Sequence, residues 1–219
     1  MLKGYVALVL HCHLPFVRHP EYERFLEEDW LFEAISETYI PLLEVFERLE
    51  RERIPFRLTV SVSPTLAEML RDELLQDRYV RHLEQLIELA GREVVRTRQE
   101  PALNHLAQMY LNRFHLYRES FLGKYGRQLV KALSGFQSRG HIELITSCAS
   151  HGFLPTLAPA PESVRAQVGV AVRSHIRNFG SYPKGFWLPE CGYYPGVEEF
   201  LKEYDLRYTF LEAHGVLYA

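Results

Sequence analysis

The sequence predicts an α/β fold with a mostly parallel sheet, because short apolar runs alternate with segments of helical periodicity along the chain. The first run is continuously apolar, as expected for a strand that is buried on both faces. The second alternates and is rich in β-branched residues, which favours a strand as well. Five runs have strand character: 5–11, 56–62, 142–147, 185–188 and 208–211.

Helical periodicity fills the gaps between these runs. Residues 33–53 carry apolar side chains at spacings of three and four, and Pro41 is expected to kink or split that helix. Thr65 and Glu68 have the spacing of a capping box at the start of the next helix. The stretch between the second and third strands is too long for a simple crossover, so a helical insertion is predicted over roughly 64–139. Further helices are predicted at 66–89, 104–139, 161–178 and 196–204.

Composition excludes several classes of protein. The chain has 219 residues, of which 47% are hydrophobic and 24% charged, as in ordinary globular proteins. A net charge of −3 gives no field that attracts nucleic acid or an anionic membrane. The apolar run 6–10 is too short to span a bilayer, and the first residues lack the pattern of a signal peptide. Three widely spaced cysteines indicate reduced thiols in a cytoplasmic protein.

Polar and titratable residues recur where the predicted strands end. Catalytic groups of parallel α/β barrels gather at the carboxyl ends of the strands, so recurrence there is more informative than any single residue. The residues in question are His11, His13, His151, Glu190, Glu212 and His214.

Glu190 is the most informative of them, since it stands between Trp187 and Tyr193. Aromatic faces stack on pyranose rings, and a carboxylate can attack or stabilise an oxocarbenium-like carbon. The competing interpretation is a surface turn, because Gly192 and Pro195 close by are turn residues.

Three segments resemble the conserved regions of glycoside hydrolase family 57, in that family's order. Residues 11–15 resemble the first region, 143–155 the second and 187–193 the third, which carries the nucleophile. The stretches 6–17 and 33–43 are most similar to the α-1,4-glucan branching enzyme subgroup. The resemblance covers nearly the whole chain.

The resemblance implies a (β/α)7-type barrel and a retaining double displacement on α-1,4-glucan, such as amylose or a glycogen-like polysaccharide. A branching enzyme passes the bound glucan to a 6-hydroxyl and so forms α-1,6 branches. Glu190 would be the nucleophile, and no metal or cofactor is expected. The resemblance places the other site residues as follows: His11, His13 and His151 bind sugar hydroxyls, Trp187 and Tyr193 shape the pocket, and His214 faces the site.

The chain departs from the family in one respect. A retaining glycosidase needs a second carboxyl group about 5–5.5 Å from the first, and the family's acid/base aspartate lies in a fourth region well downstream. Residues 1–219 are therefore expected to be the N-terminal part of one catalytic barrel domain, with little or no activity in isolation. Glu212 and Asp205 are the alternative acids that the chain offers.

Other functions remain open at this point. One is an α-amylase or 4-α-glucanotransferase of the same family, and another is a non-catalytic glucan-binding fragment. A third is a metal-dependent sugar hydrolase or deacetylase, whose ligands would come from the site histidines with Cys148 and Cys191. No aspartate stands beside the first histidines, and a free cysteine often serves as a small buried apolar residue. The sequence carries no signal for an oligomeric state.

Six further histidines are assigned no role in the site. Histidines outside a motif are more often solvated or packing residues than ligands. They are His19, His82, His105, His115, His141 and His175.

Overall fold

A computed structural model describes residues 4–218. In chain order its elements are β1 (Val9–Cys12), α1 (Glu28–Ala34), a π-helical turn (Ile35–Tyr39), α2 (Ile40–Arg51), β2 (Leu58–Val62), α3 (Pro64–Arg71), α4 (Glu73–Arg96), α5 (Pro101–Glu119), a second π-helical turn (Ser120–Lys124), α6 (Leu129–Ser138), β3 (Ile142–Ser147), α7 (Leu154–Leu157), α8 (Pro161–Phe179), β4 (Gly185–Trp187), a 3-10 turn (Pro189–Cys191), α9 (Val197–Lys202), β5 (Tyr208–Thr209) and α10 (Ala213–Leu217). Among these residues, no helix combines the length and the apolar character that a membrane-spanning segment requires.

Contacts within the chain divide it into two compact units. The first comprises the described parts of 1–16, 53–69 and 133–219, and it contains the whole sheet. The second comprises 17–52 and 70–132 and is helical. The segment between β2 and β3 is therefore helical. That it is an insertion over roughly 64–139 within one catalytic domain stays a prediction.

The sheet has five strands in the order β1-β2-β3-β4-β5, and every neighbouring pair is parallel. The α/β class with a parallel sheet is therefore confirmed, while closure into a barrel stays a prediction. The register places His11 beside Ser61 and Ser147 beside Trp187. Because all strands run the same way, their carboxyl ends share one edge of the sheet.

Several strands are shorter than their apolar runs. β1 begins at Val9, not at Tyr5, and Tyr5 is 92% exposed. Pairing explains the difference, since Val9 lies beside Thr59 near the start of β2, so the sheet offers few partners for earlier residues. β4 ends at Trp187 because Pro189 begins a 3-10 turn.

The helix predicted over 33–53 is interrupted. α1 passes into the π-helical turn Ile35–Tyr39, and α2 begins directly after it. Pro41 has no N–H to donate to the carbonyl four residues earlier, so the widened turn before it accommodates the missing bond. The proline therefore splits the helix pattern one turn upstream of its own position.

The capping box predicted from Thr65 and Glu68 is wrong. α3 begins at Pro64, and the hydroxyl of Ser63 accepts a hydrogen bond from the N–H of Leu66 at 3.4 Å. Proline suits the first position of a helix, where its missing N–H would have no helical partner. Thr65 instead donates its hydroxyl to the carbonyl of Leu14 at 2.9 Å, which ties the segment after β1 to α3.

The first unit has its core beside β3 and β4. Apolar residues recur along α8 at helical spacing and pack against the strands, which is what the burial of an amphipathic helix requires. The helix ends at Gly180, whose φ of 67° is the left-handed conformation common at helix ends. The buried cluster includes Val164, Val168, Ala171, Val172, Phe186, Leu188, Val197 and Leu201.

Candidate active site

Four aromatic rings stack at the carboxyl edge of the sheet. The rings of His13 and His151 are 3.6 Å apart between centroids, with 14° between their planes. His11 stacks on Trp187 at 4.4 Å and on His151 at 5.1 Å. β1 supplies His11 and leads into His13, β3 leads into His151, and β4 ends at Trp187. The structure thus brings together four of the predicted site residues from three strands.

Glu190 lies at the margin of this stack, in the 3-10 turn that follows β4. Its carboxylate Oε1 is 3.9 Å from Nε2 of His151, and its side chain is 79% exposed. An exposed carboxylate next to stacked rings is accessible to a ligand on its open side. The role of Glu190 as a nucleophile stays a prediction.

The backbone around the carboxylate is in an uncommon conformation. Glu190 and Cys191 both have a φ of 53°, and His151 has a φ of 57°. The left-handed region costs a residue with a side chain about 1–2 kcal/mol. Such strain is found where the surrounding structure enforces it, and functional sites are frequent locations.

Phe153 packs against the turn that carries Glu190. A Cβ atom built on Gly192 would lie 2.3 Å from the Phe153 ring, so only glycine permits this approach. The N–H of Cys191 donates to the carbonyl of Leu188 at 2.9 Å, which closes the turn on its own strand. The loops after β3 and β4 are therefore held against each other.

Three buried serines to which the sequence analysis assigned no role lie behind the histidine rings. Nδ1 of His13 is 3.0 Å from Oγ of Ser63, and Nδ1 of His151 is 3.2 Å from Oγ of Ser147. Oγ of Ser61 is likewise 3.1 Å from Nδ1 of His11. The alternation of Ser61 and Ser63 in a strand pattern is the signal that could have found them.

Burial keeps the histidine rings neutral. It lowers the pKa of His11 to about 4, with His151 and His13 adding to the effect. It also lowers the pKa of His13 to about 4, helped by His151 and opposed by Glu190. The pKa of His151 is lowered by burial as well. At neutral pH each ring therefore has one nitrogen that accepts a hydrogen bond.

Two of the three cysteines are buried thiols that stay protonated at neutral pH, and the third is also shifted in that direction. Burial raises the pKa of Cys12 to about 11, and it also raises the pKa of Cys148, which is fully buried. Cys191 is partly exposed, and its pKa is raised by burial and by Glu212 and Glu190. Within residues 4–218, no three His, Cys, Asp or Glu side chains are grouped so that they could hold a metal ion.

Two predicted site residues have other partners. The hydroxyl of Tyr193 donates to Oε2 of Glu198 at 3.1 Å. His214 lies in α10, where its Nδ1 is 3.0 Å from Oε2 of Glu212, and both side chains are largely exposed. Among the ring contacts and ion pairs of residues 4–218, neither Tyr193 nor His214 is joined to the stacked histidines.

The alternative acids differ in position. Glu212 follows β5 and lies close enough to Cys191 to raise its pKa. Asp205 precedes β5 and pairs with Arg207 at 3.3 Å, at the opposite end of the strand. Of the two carboxylates, only Glu212 lies on the same edge of the sheet as Glu190.

Comparison with known proteins gives consistent matches along the chain. The family model described as glycosyl hydrolase family 57 matches residues 7–219. A 1,4-alpha-glucan branching enzyme of Thermococcus kodakarensis is 37% identical over 97% of this chain and 33% of its own length. A probable 1,4-alpha-glucan branching enzyme of Mycobacterium tuberculosis is 28% identical over 90% of this chain and 39% of its own.

Solved structures agree with the sequence matches. An alpha-amylase from Thermotoga maritima has a TM-score of 0.94 and 42% identity, over 100% of this chain and 41% of that one. A branching enzyme from Pyrococcus horikoshii has a TM-score of 0.89 and 31% identity, over 97% of this chain and 42% of that one. The chain spans well under half the length of each of these relatives.

Proposed function

Since the chain belongs to glycosyl hydrolase family 57, we propose that it supplies the nucleophile of a retaining enzyme that acts on α-1,4-glucan. One observation carries this proposal: an exposed carboxylate, Glu190, stands 3.9 Å from Nε2 of His151 beside a stack of aromatic rings. The names of the relatives support the same class of substrate, as they are a branching enzyme and an alpha-amylase.

The first step in this proposal joins Glu190 to the donor sugar. One carboxylate oxygen forms a bond to C1 of a glucosyl residue while the bond from C1 to the bridging oxygen breaks. An acid protonates the departing oxygen, and the same group later takes a proton from the acceptor. That group must be a carboxyl about 5–5.5 Å from the nucleophile. Transfer to a sugar 6-hydroxyl makes a branch, and transfer to water is hydrolysis.

Branching is the reaction that we propose. The stretches 6–17 and 33–43 resemble the branching enzyme subgroup, and the Thermococcus kodakarensis relative carries that name. Hydrolysis is the second candidate, favoured by the TM-score of 0.94 with an alpha-amylase. Debranching of the products formed from amylose separates the two, because only branching creates α-1,6 linkages.

We also propose that the protein works in the cytoplasm, in glycogen-type metabolism. All three cysteines are free thiols, and Cys12 and Cys148 are buried. Free thiols are typical of a reducing compartment.

A donor with a good leaving group tests the nucleophile in this chain alone. α-Maltosyl fluoride needs no acid for its first step, because the C1–F bond breaks and fluoride leaves as Glu190 attacks. We expect mass spectrometry of the purified chain to find one maltosyl unit on the peptide that contains Glu190. Glu190→Gln should abolish the label, and Glu199→Gln, an exposed glutamate that pairs with Lys202, should retain it.

Label on another residue, or label that persists in Glu190→Gln, would overturn the assignment of the nucleophile. An unlabelled chain that still binds amylose would instead support the non-catalytic alternative. Stoichiometric zinc bound to the purified chain would support the metal-dependent alternative.

A further inference from the structure

We infer that three hydroxyl groups, two of them fully buried, fix the tautomer of His13 and His151, so that both rings carry hydrogen on Nδ1 and present Nε2 as a hydrogen-bond acceptor. The hydroxyls belong to Ser63, Thr65 and Ser147. The tautomers follow from the hydrogen bonds alone. The ligand that Nε2 receives, a sugar hydroxyl, rests on the proposed function.

The argument for His151 depends on a single proton. Ser147 is fully buried, and its hydroxyl donates to the carbonyl of Trp187 at 2.9 Å. The same oxygen lies 3.2 Å from Nδ1 of His151. A hydroxyl has one hydrogen, and the carbonyl can only accept, so the second contact needs a hydrogen from the ring. His151 therefore carries it on Nδ1.

The argument for His13 passes through two hydroxyls. Thr65 donates to the carbonyl of Leu14 at 2.9 Å, which uses its only hydrogen. The contact of 3.1 Å between Ser63 and Thr65 must then use the hydrogen of Ser63. Oγ of Ser63 has no hydrogen left for Nδ1 of His13, which lies 3.0 Å away. His13 therefore donates from Nδ1 as well.

The opposite tautomer breaks this arrangement. With hydrogen on Nε2, the three contacts from His13 to Leu14 would share two hydrogens, and one contact to or next to the buried Ser63 would be left without a donor. Leaving a buried polar atom unpaired is the costly outcome for a protein interior. The tautomer of His11 is not fixed in this way. The hydroxyl of Ser61 has the His11 ring as its side-chain partner among residues 4–218, so either the hydroxyl or Nδ1 can donate.

The fixed tautomer determines what the site binds. Nε2 of His151 faces Oε1 of Glu190 at 3.9 Å, so two acceptors border the same space. A group that enters this space must donate hydrogen, as a sugar hydroxyl does. A carboxylate or phosphate would meet two lone pairs and be repelled. At this position the site therefore favours a sugar hydroxyl over a carboxylate or phosphate group, and Ser63, Thr65 and Ser147 are positioning residues for that choice.

The tautomers can be measured without any ligand. In a long-range hydrogen–nitrogen correlation spectrum of the ¹⁵N-labelled chain at pH 7.5, we expect His13 and His151 to show a protonated Nδ1 and an unprotonated Nε2. His13→Gln and His151→Gln assign the signals. Nε2–H as the main tautomer of either ring would overturn the inference.

Matched variants act on one ring at a time. Thr65→Val keeps the shape but removes the hydroxyl, so Ser63 becomes free to donate to His13, and His13 should become a mixture of tautomers while His151 is unchanged. Thr65→Ser should restore the single tautomer. Ser147→Ala should affect His151 and leave His13 unchanged. An unchanged His13 in Thr65→Val would contradict the inference.

Addition of ligand then tests the link to sugar. Maltotriose should shift the Nε2 signals of both rings, whereas glucuronic acid at the same concentration should not. Fixed tautomers with no response to maltotriose would refute the proposed function and leave the tautomer assignment standing. Labelling of Glu190 by maltosyl fluoride, together with a mixture of tautomers for His13 and His151, would instead support the proposed function and refute the tautomer assignment.

Discussion

The ring of His13 lies flat against the ring of His151, with 3.6 Å between their centroids. Two imidazolium ions at that distance would repel each other strongly in a partly buried site. Burial lowers the pKa of each ring, and charge on His151 would lower the pKa of His13 further. Glu190 acts in the opposite direction on His13 but does not overcome burial, since the pKa of that ring is about 4. The stack therefore exists as a neutral pair.

Acid should charge this pair only well below neutral pH. We expect the ring proton signals of His13 to show no inflection between pH 7 and pH 5, whereas an unperturbed histidine titrates near 6.5. The folded pKa is lower than the unfolded one, so the unfolded state binds more protons between about 6.5 and 4. The free energy of unfolding should therefore decrease as pH falls through that window. A midpoint at or above 6.5 for His13 would contradict this.

The position of the site was predictable, but its inner contacts were not. His11, His13, His151 and Glu190 could be assigned to one edge because parallel strands end together. The contact between Ser63 and His13 depends instead on the strand register, which pairs Cys12 with Val62 and so places the following residues side by side. A change of one residue in that pairing would turn the serine to the other face, and no local pattern in the sequence fixes it.

The site roles of Tyr193 and His214 stay predictions, since each has another partner. Tyr193 follows Glu190 by three residues, yet its hydroxyl bonds to Glu198. Cys191 lies between them in the left-handed region, with a φ of 53°, and redirects the chain. A sequence pattern typical of a strand or a helix does not predict such a turn. Pro41 predicted an interruption of its helix, but not that the interruption would be a π-helical turn one turn upstream.

The buried ion pair of Arg78 and Glu28 should be the most sensitive polar contact in the second unit. Both side chains are buried, and Arg78 also donates to the backbone carbonyls of His19 and Tyr22. Arg78→Met would leave the Glu28 carboxylate buried without its charged partner, with only the N–H of His19 bound to it among the described residues, so we expect a loss of about 3–5 kcal/mol in urea unfolding. The double variant Arg78→Met with Glu28→Leu should recover much of this loss.

Arg92 provides the matched control, since it pairs with Glu88 at 3.9 Å on the surface of α4. Both side chains are mostly exposed, and such pairs contribute about 0–1 kcal/mol. Arg92→Met should therefore change the midpoint of unfolding little. Equal stability of Arg78→Met and Arg92→Met would show that the buried pair contributes nothing specific.

Gly185 and Gly91 should respond oppositely to alanine. A Cβ atom on Gly185 would lie 2.4 Å from the ring of Tyr208, its neighbour across β4 and β5, so the ring must move. We expect Gly185→Ala to cost about 1–3 kcal/mol through overpacking. Gly91 lies inside α4 with open space around its Cα, so Gly91→Ala should stabilise by about 0.5–1 kcal/mol. Thermal unfolding of both variants measures the contrast, and a stable Gly185→Ala would mean that Tyr208 relocates freely.

His175 should destabilise the fold in a way that depends on pH. Its side chain is 2% exposed, and neither ring nitrogen has a hydrogen-bond partner among residues 4–218. Burial lowers its pKa to about 4.

His175→Leu removes two unpaired polar atoms beside Phe179, so we expect a gain of about 1–3 kcal/mol at pH 7. Between pH 6.5 and pH 4 the unfolded His175 takes up a proton and the folded one does not, so the wild-type chain loses more stability there than the variant, which keeps only the other buried histidines. The gap should widen by about 2 kcal/mol at pH 5, which urea unfolding at the two pH values measures. A less stable variant with the same pH dependence as the wild type would show that the ring nitrogens are paired within the folded protein.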